Sequence, residues 1–368
     1  MSTQTSPDST AVYATLTGLV QQYSPSGSEA AAVGWLVARM KALGFEQTHI
    51  DPAGNAVGIR GAGPRQVVLL GHIDTVPGDV PVRIAGDRLY GRGAVDAKGP
   101  LAAFVDATAQ VPPPAGWQIV VIGAVEEERD STGARYVISH YHPDFAIIGE
   151  PSRWERITLG YKGSAWAEIE VRRPLAHTAG QAESVCETAV GVWANIRRWA
   201  ETFNAGSLQV FEQVSPSLQG MSSGDDGFET WARLRISTRL PLSLPPDEWY
   251  ARLRLLAADA SITPLGFPIS AYQGGKNTPL VRAFLAGIRA ASGKPGFVLK
   301  SGTADINIVA PAWDCPAVAY GPGDSALDHT PDEHISLNEY ARSLEVLQSV
   351  VSQLVRQQPM EPFSAQPT

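Results

Sequence analysis

The sequence is poor in cysteine, in positive charge and in long apolar runs, and each absence excludes a class of protein. Cys186 and Cys315 are the only two cysteines among 368 residues, too few and too far apart for a disulfide framework. The formal net charge of −8 argues against nucleic acid as the main partner, because that role favours a basic surface. No apolar stretch approaches the roughly 20 residues that cross a bilayer, so we expect no membrane segment.

The remaining composition is that of an ordinary globular protein. Hydrophobic residues make up 44% of the chain and charged residues 18%, and no low-complexity tract is present. Residues 1–10 lack a basic segment and an apolar core, so they do not resemble a signal peptide. We therefore expect a cytoplasmic protein, and its 368 residues are enough for two domains.

Short apolar runs alternate with helical patterns along most of the chain. Runs at 66–70, 117–125 and 145–148 predict strands buried on both faces of a sheet. This α/β alternation stops near residue 160 and resumes near 278, while residues 164–172 alternate as a half-buried strand does. We therefore predict an α/β domain over 1–160 and 275–368, interrupted by a small α+β domain over 161–274.

Two predicted helices begin with the Ser-x-x-Glu pattern of a capping box. Ser26 and Glu29 lie at the start of the helix predicted over 29–43, and Ser336 and Glu339 lie at the start of the helix predicted over 337–357. In a capping box the serine side chain bonds the backbone of the glutamate, and the glutamate side chain bonds the backbone of the serine. We expect this reciprocal pairing at both positions.

Acidic and imidazole side chains, which can bind metals, end predicted strands or begin loops. They are His72, Asp74, Asp96, the triplet Glu126–Glu128, Glu150 and His329. Taken singly, a histidine at a strand end is more often a hydrogen-bonded structural residue, and three successive glutamates are more often a solvated face. Together, carboxylates gathered at the carboxyl edge of one sheet would repel each other unless cations neutralised them.

Two histidines and three carboxylates, one of them bridging, are a donor set for two divalent ions such as zinc. Asp74 lies two residues after His72, where it could orient the imidazole. A glutamate beside the metal-binding one would act as general base on a water molecule. The pattern predicts a two-metal hydrolase site.

The ordered motifs resemble the M20 metallopeptidase family. They are His72–Pro77, Gly91–Gly99, Glu126–Glu128, Gly149–Pro151 and Asp328–Glu333. The resemblance implies a hydrolase of amide bonds that uses two divalent ions per subunit, zinc or cobalt. By position, His72, Asp96 and Glu150 would hold one ion. The other would be held by Asp96, Glu128 and His329, and many relatives have a cis peptide after the residue that corresponds to Asp96.

The glutamate triplet leaves two registers open. In the family the base stands one residue before the ligand, shortly before a Gly-Ala pair, which is Gly133-Ala134 here. This favours Glu127 as the base and Glu128 as the ligand. A shift by one residue would make Glu126 the base and Glu127 the ligand.

The segment Arg172–Gly180 in the inserted domain resembles the family's lid. There a histidine helps to stabilise the tetrahedral oxyanion in the partner subunit's active site, and the resemblance gives this role to His177. The lid also forms the dimer in relatives, so a homodimer is implied. Arg239 lies in a segment that resembles a lid strand, where an arginine could bind a substrate carboxylate or have a structural role.

Further segments resemble one branch of the family. They are Val125–Glu128, Lys300–Asn307 and Ala319–Ser325. In that branch the enzyme releases lysine or ornithine from the amino-group carrier protein LysW, in lysine and arginine biosynthesis. The amide that is cleaved joins the amino acid's α-amino group to the side-chain carboxyl of the carrier's C-terminal glutamate. The alternative is a deacylase of small N-acyl-amino acids or N-acetylornithine.

The carrier of that branch is acidic, which implies a basic entrance to the site. The candidate basic side chains are Arg153, Arg156, Lys162, Arg172 and Arg173. For any one of them, scattered surface charge is an equally good interpretation.

Overall fold

A computed structural model describes residues 13–112, 115–175 and 183–356. The chain forms two compact units. Unit 1 comprises Met1–Leu159, Gly274–Val298 and Ala312–Thr368, and unit 2 comprises Gly160–Gln273 and Leu299–Pro311. Within the described ranges, every helix is too short or too polar to cross a membrane.

The elements alternate between helix and strand in unit 1 and are mostly strands in unit 2. The helices are α1 (Ala14–Val20), α2 (Ala30–Ala42), α3 (Lys98–Gln110), α4 (Thr132–Val137), α5 (Val185–Asn204), α6 (Pro246–Leu256), α7 (Pro279–Ala290), α8 (Ile306–Trp313) and α9 (Leu337–Val355). The strands are β1 (Gln47–Ile50), β2 (Ala56–Arg60), β3 (Arg65–His72), β4 (Arg83–Ala85), β5 (Arg88–Tyr90), β6 (Trp117–Ala124), β7 (Phe145–Gly149), β8 (Arg156–Tyr161), β9 (Gly163–Pro174), β10 (Ser215–Asp225), β11 (Glu229–Leu240), β12 (Ser261–Ile269), β13 (Tyr272–Gln273), β14 (Gly296–Lys300), β15 (Ala317–Tyr320) and β16 (His334–Ser336).

The main sheet of unit 1 has the strand order β1-β2-β6-β3-β7-β15-β8. Strand β3 runs parallel to β6 and β7, and β15 runs parallel to β7. The register pairs His72 with Ala124 and Gly71 with Gly149, so the carboxyl ends of β3, β6 and β7 are level. Ligands bind at this edge in open α/β sheets.

The three central strands are buried because both faces of the sheet are covered. Val67–Leu70, Ile119–Ile122 and Ala146–Ile148 are at most 1% exposed. These continuous apolar runs confirm the predicted buried strands at 66–70, 117–125 and 145–148. Near the carboxyl edge the strands also approach very closely, since a Cβ on Gly149 would lie only 3.0 Å from the Cα of Gly71.

Unit 2 is built on an antiparallel sheet with the order β10-β11-β9-β12. The alternation predicted for 164–172 is confirmed, since Ala165, Ala167, Ile169 and Val171 are at most 1% exposed. These side chains pack in one core with Ile196 of α5 and Trp249 of α6. Full burial of the larger aliphatic side chains, such as Ile169 and Val171, contributes about 1.5–3 kcal/mol each. Unit 2 is therefore an α+β layer with its own core.

The observed domain boundaries differ from the predicted ones at residues 299–311, which the prediction includes in the first domain. They lie in unit 2, where the Nδ2 of Asn307 donates to the carbonyl oxygens of Tyr161, Lys162 and Ser270. Such bonds join segments that are far apart in the chain, so no local sequence pattern predicts them.

The prediction of a capping box at Ser26 and Glu29 is wrong. Helix α2 begins at Ala30 with Glu29 as its N-cap and without a side-chain cap. The Glu29 carboxylate accepts from the amide of Gly27 at 2.8 Å, and Ser26 Oγ donates to Asp74 Oδ2 at 2.6 Å. The serine therefore binds a site residue instead of capping a helix.

The second capping box is half confirmed. Ser336 Oγ accepts from the amide of Glu339 at 3.1 Å. The Glu339 carboxylate instead accepts from the amides of Trp154, at 2.9 Å, and Gly323, at 3.2 Å. It thus joins two loops at the carboxyl edge of the sheet.

Candidate metal centre

His72 ends β3 at the carboxyl edge of the sheet and is 2% exposed. Its Nδ1 lies 3.0 Å from the carbonyl oxygen of Asp74 and 3.5 Å from the Asp74 carboxylate. An Nδ1–H that donates to this carbonyl leaves Nε2 with a free lone pair, the form in which histidine binds metals. Nε2 lies 3.1 Å from Asp96 Oδ1.

Asp96 lies between two histidines. Its Oδ1 contacts His72, and its Oδ2 lies 3.0 Å from Nε2 of His329. The peptide bond from Asp96 to Ala97 is cis, which confirms the expectation from the family resemblance. Each carboxylate oxygen therefore faces a different imidazole, as in a bridging carboxylate.

Glu128 completes a compact group of candidate ligand side chains. The ligand atoms of His72, Asp96 and Glu128 all lie within 4.8 Å of one another. Glu128 Oε1 also lies 2.9 Å from Nε2 of His329. His329, which the sequence places more than 200 residues later, thus contacts both Asp96 and Glu128.

Asp74 fixes the loop that carries the glutamate triplet. Its side chain is fully buried, and its carboxylate accepts from the amide of Glu127 at 3.0 Å and from the amide of Glu128 at 3.1 Å. The carboxylate therefore positions the glutamate loop, while the carbonyl of the same residue is the closer partner of His72. The sequence pattern predicts for Asp74 only the orientation of His72, not this contact with the glutamate loop.

Glu126 has a different environment from the next two glutamates. Its φ of 60° lies in the left-handed region, and its carboxylate accepts from Thr132 Oγ1 at 2.7 Å. Its carbonyl oxygen accepts from the amide of Ser131 at 2.6 Å, which closes the turn. The Glu126 carboxylate is thus bonded within its own turn, whereas the Glu128 carboxylate belongs to the candidate ligand group.

Glu150 follows β7 directly and is 7% exposed. The register of β3 and β7 places it beside the end of β3. The structure brings His72, Asp96, Glu128 and His329 into contact. It places Glu150, the fifth predicted ligand, at the end of the adjacent strand.

Two further carboxylates in unit 1 had no predicted role at the site. Glu333 accepts from the amides of Val95 and Asp96, and Glu339 accepts from the amide of Trp154, four residues after Glu150. The sequence signal that could have identified them is that each glutamate stands among the apolar residues of β16 or α9. A charge buried there would be costly unless it were paired. For Glu339 the Ser-x-x-Glu pattern pointed instead to a capping box.

The predicted residues of the inserted domain are only partly described. His177 lies outside the described residues. Arg239 is half-buried on β11 in unit 2, and its Nη1 donates to Thr303 Oγ1 at 3.0 Å.

The prediction that Lys162 lies at a basic entrance to the site is wrong. It is fully buried, and its Nζ donates to the carbonyl oxygens of Val210 and Gln213 and to Ser215 Oγ. Burial, together with the nearby charge of Arg239, lowers the pKa of Lys162 to about 8. Its role is to hold the segment before β10.

Hydrogen bonds and charges within the centre shift the pKa values of its side chains. Hydrogen bonds to Asp96 and Glu128 raise the pKa of His329 to about 10. Burial alone would lower the pKa of His72, but the Asp74 and Asp96 carboxylates raise it well above its usual value. Burial alone would raise the pKa of Asp96, yet its bonds to His329 and His72 hold it well below its usual range. Imidazole and carboxylate donors this close together suit a borderline divalent ion.

The fold and this centre define a metal-dependent hydrolase. Residues 68–353 match the model of the peptidase family M20/M25/M40. The chain is 43% identical to a LysW-lysine hydrolase of Deinococcus radiodurans, over 95% of this chain and 98% of that protein. It is 30% identical to a LysW-lysine/LysW-ornithine hydrolase of Sulfurisphaera tokodaii, over 79% of this chain and 82% of that protein.

Solved structures agree with this fold. The M20 metallo-carboxypeptidase Sso-CP2 of Sulfolobus solfataricus superimposes with a TM-score of 0.76 at 15% identity, covering 94% of this chain and 99% of that one. The aminopeptidase PepT of Bacillus cereus superimposes with a TM-score of 0.78 at 16% identity, covering 95% and 99%. The chain belongs to the peptidase family M20/M25/M40. Family membership and the ligand group together imply dependence on divalent metal ions.

Metal binding is expected to release protons near neutral pH. His72 and His329 have raised pKa values and carry protons in the metal-free protein, whereas a ligand must be a neutral imidazole. Affinity is therefore expected to rise with pH until the pKa of His329, about 10, is passed. Calorimetric titration in buffers of different ionisation enthalpy measures the release. Heats that do not depend on the buffer would contradict this expectation.

Proposed function

We propose that this hydrolase releases lysine, ornithine or both from the amino-group carrier protein LysW. The observation that carries the proposal is the 43% identity to a LysW-lysine hydrolase, which extends over 95% of this chain and 98% of the relative. The similarity extends over nearly the whole of both chains and is not confined to the metal-binding motifs. The role belongs to lysine and arginine biosynthesis.

Two divalent ions, zinc or cobalt, are proposed as cofactors. His72, Asp96 and Glu150 would hold one ion, and Asp96, Glu128 and His329 would hold the other. Support comes from the position of Asp96, whose two oxygens each lie about 3 Å from a different imidazole. When bound, such ions polarise a carbonyl and lower the pKa of water.

Glu127 is proposed as the general base and acid. It takes a proton from the attacking water, whose oxygen bonds to the amide carbon, and then gives a proton to the leaving nitrogen as the C–N bond breaks. The products are the carrier's free carboxylate and the amino acid. Because Asp74 binds the amides of Glu127 and Glu128, a change in one glutamate's backbone position would move the other.

Residues outside the metal centre complete the proposed site. Arg239 would bind the α-carboxylate of the amino acid, since a guanidinium forms paired hydrogen bonds with a carboxylate. His177 would stabilise the oxyanion that forms during attack. The inserted domain over 161–274 would act as lid and dimerisation domain in a homodimer.

The cytoplasm is the proposed location. Both cysteines are unpaired, and disulfides are rare in proteins of that compartment.

The test compares three substrates with the purified enzyme, loaded with Zn²⁺ or Co²⁺. Carrier-linked lysine, carrier-linked ornithine and N-acetylornithine are each supplied, and the released amino acid is measured by mass spectrometry. Faster release from a carrier-linked substrate supports the proposal. Turnover of N-acetylornithine alone would make the enzyme a small-molecule deacylase and contradict the carrier assignment.

A further inference from the structure

Glu333 is a buried carboxylate that touches the backbone of the segment before and including Asp96. Its Oε1 accepts from the amide of Val95 at 2.9 Å and from the amide of Asp96 at 3.1 Å. Its side chain is 1% exposed, and its Oε2 pairs with Nη1 of Arg92 at 2.8 Å. All of its described side-chain partners therefore belong to one short stretch that ends at a ligand.

The same residue also belongs to the segment that carries His329. Its backbone carbonyl accepts from the amide of Gly91 at 3.2 Å, so main chain and side chain both bind the stretch 91–96. His329 stands four residues before Glu333 in the sequence. One residue thus links the two segments whose side chains meet at Asp96 Oδ2 and His329 Nε2, 3.0 Å apart.

A bridging carboxylate tolerates little displacement. Asp96 Oδ1 lies 3.1 Å from one imidazole and Oδ2 lies 3.0 Å from the other, so a shift toward one histidine withdraws the carboxylate from its partner. Loss of a residue that holds a metal ligand through hydrogen bonds typically costs about 10–100-fold in metal affinity or activity. A bond to the amide of Asp96 acts directly on the backbone position of that residue.

We infer that Glu333 is a positioning residue that holds Asp96 between the two histidines. The inference rests on the metal centre of the proposed function. It assigns Glu333 no contact with substrate. Glu333 acts through its hydrogen bonds to the amides of Val95 and Asp96. Its ion pair with Arg92 compensates the buried charge of the Glu333 carboxylate.

The test measures metal binding by Glu333→Gln and Glu333→Ala. Glutamine keeps the shape of the side chain, but its NH₂ group would face the donors of Val95 and Asp96 or of Arg92. Alanine removes all of these side-chain contacts. The matched control is Asp144→Asn, because Asp144 also pairs with an arginine, Arg65, and accepts from a backbone amide, that of Gln66, both at 3.0 Å. Those contacts lie at the start of β3, the opposite end of the strand from His72.

Affinity is measured by titration with Zn²⁺, and ligand geometry by the visible spectrum of the Co²⁺-loaded protein. Both Glu333 variants are expected to bind metal about 10–100-fold more weakly, with an altered cobalt spectrum, while Asp144→Asn binds like the wild type. Unfolding temperatures are recorded so that binding is compared between folded proteins. If the alanine variant does not fold, the glutamine variant decides.

Unchanged affinity and an unchanged cobalt spectrum in Glu333→Gln would overturn the inference. Equal losses in Asp144→Asn would also overturn it, because the effect would then be a general loss of structure. Metal binding and the cobalt spectrum do not require turnover, so they test the role of Glu333 independently of the proposed substrate. A wild-type enzyme that binds metal but releases no lysine from the carrier would count against the substrate assignment alone.

Discussion

Glu127→Gln is expected to lower kcat by about 10²–10⁴-fold, the usual contribution of a positioned general base. Glutamine has the same shape but cannot take the proton of the attacking water. Its backbone amide still donates to Asp74, so the loop and Glu128 should keep their positions. Metal content, measured by elemental analysis after dialysis, should therefore equal that of the wild type.

The matched control is Glu126→Gln, a change of the same kind one residue earlier. The Glu126 carboxylate accepts from Thr132 Oγ1, a bond that a glutamine oxygen can also accept. Its kcat should stay within a few-fold of the wild type. The opposite result, with Glu126→Gln inactive and Glu127→Gln lacking metal, would select the shifted register in which Glu127 is a ligand.

Asp96→Asn is expected to remove both metal binding and activity. The neutral amide cannot offer two anionic oxygens to ions on either side, and its NH₂ group would face one of the two imidazoles. Ions supply several kcal/mol of transition-state stabilisation, so loss of the centre should cost about a thousandfold or more in rate. Metal content per chain and kcat are measured on the same preparation.

The control for Asp96→Asn is Asp79→Asn. Asp79 is an exposed aspartate of unit 1 that belongs to no predicted ligand set, so its loss removes the same charge without removing a donor. It should keep its metal and its rate. An Asp96→Asn enzyme that retains full metal content would contradict the bridging role.

The parts of the fold that follow from local pattern could be predicted from the sequence. Val67–Leu70 is an apolar run of strand length, and burial on both faces is the environment that such a run requires. Because parallel strands end at one edge, the residues after β3, β6 and β7 could be placed together before the structure was known. The prediction that His72, Asp96, Glu128 and His329 lie together depended on that rule and on the ordered motifs.

The contacts that position the ligands could not be predicted, since they join distant parts of the chain. Ser26 and Asp74 are 48 residues apart, and Glu333 and Asp96 are 237 apart. A serine or glutamate carries the same local signal whether it caps a helix or binds a remote amide. For Ser26 the local interpretation was therefore wrong, and for Glu339 it was half right.

The burial of charged side chains also could not be predicted from local sequence patterns. Lys162 was predicted as one of several basic side chains at the entrance, because the carrier of the resembling branch is acidic. It is instead enclosed by two carbonyl oxygens and a hydroxyl of residues 210–215. Only the tertiary fold supplies those acceptors, and a lysine without them would be too costly to bury.

The most direct measurement of the central claim is the intact mass of the carrier after reaction in water labelled with heavy oxygen. If the enzyme hydrolyses the carrier's amide, the carrier loses the mass of the bound lysine and gains one labelled oxygen in the freed carboxylate, while the released lysine stays unlabelled. The reaction should disappear in Glu127→Gln and persist in Glu126→Gln. A carrier whose mass does not change, under conditions in which the same preparation hydrolyses N-acetylornithine, would contradict the account.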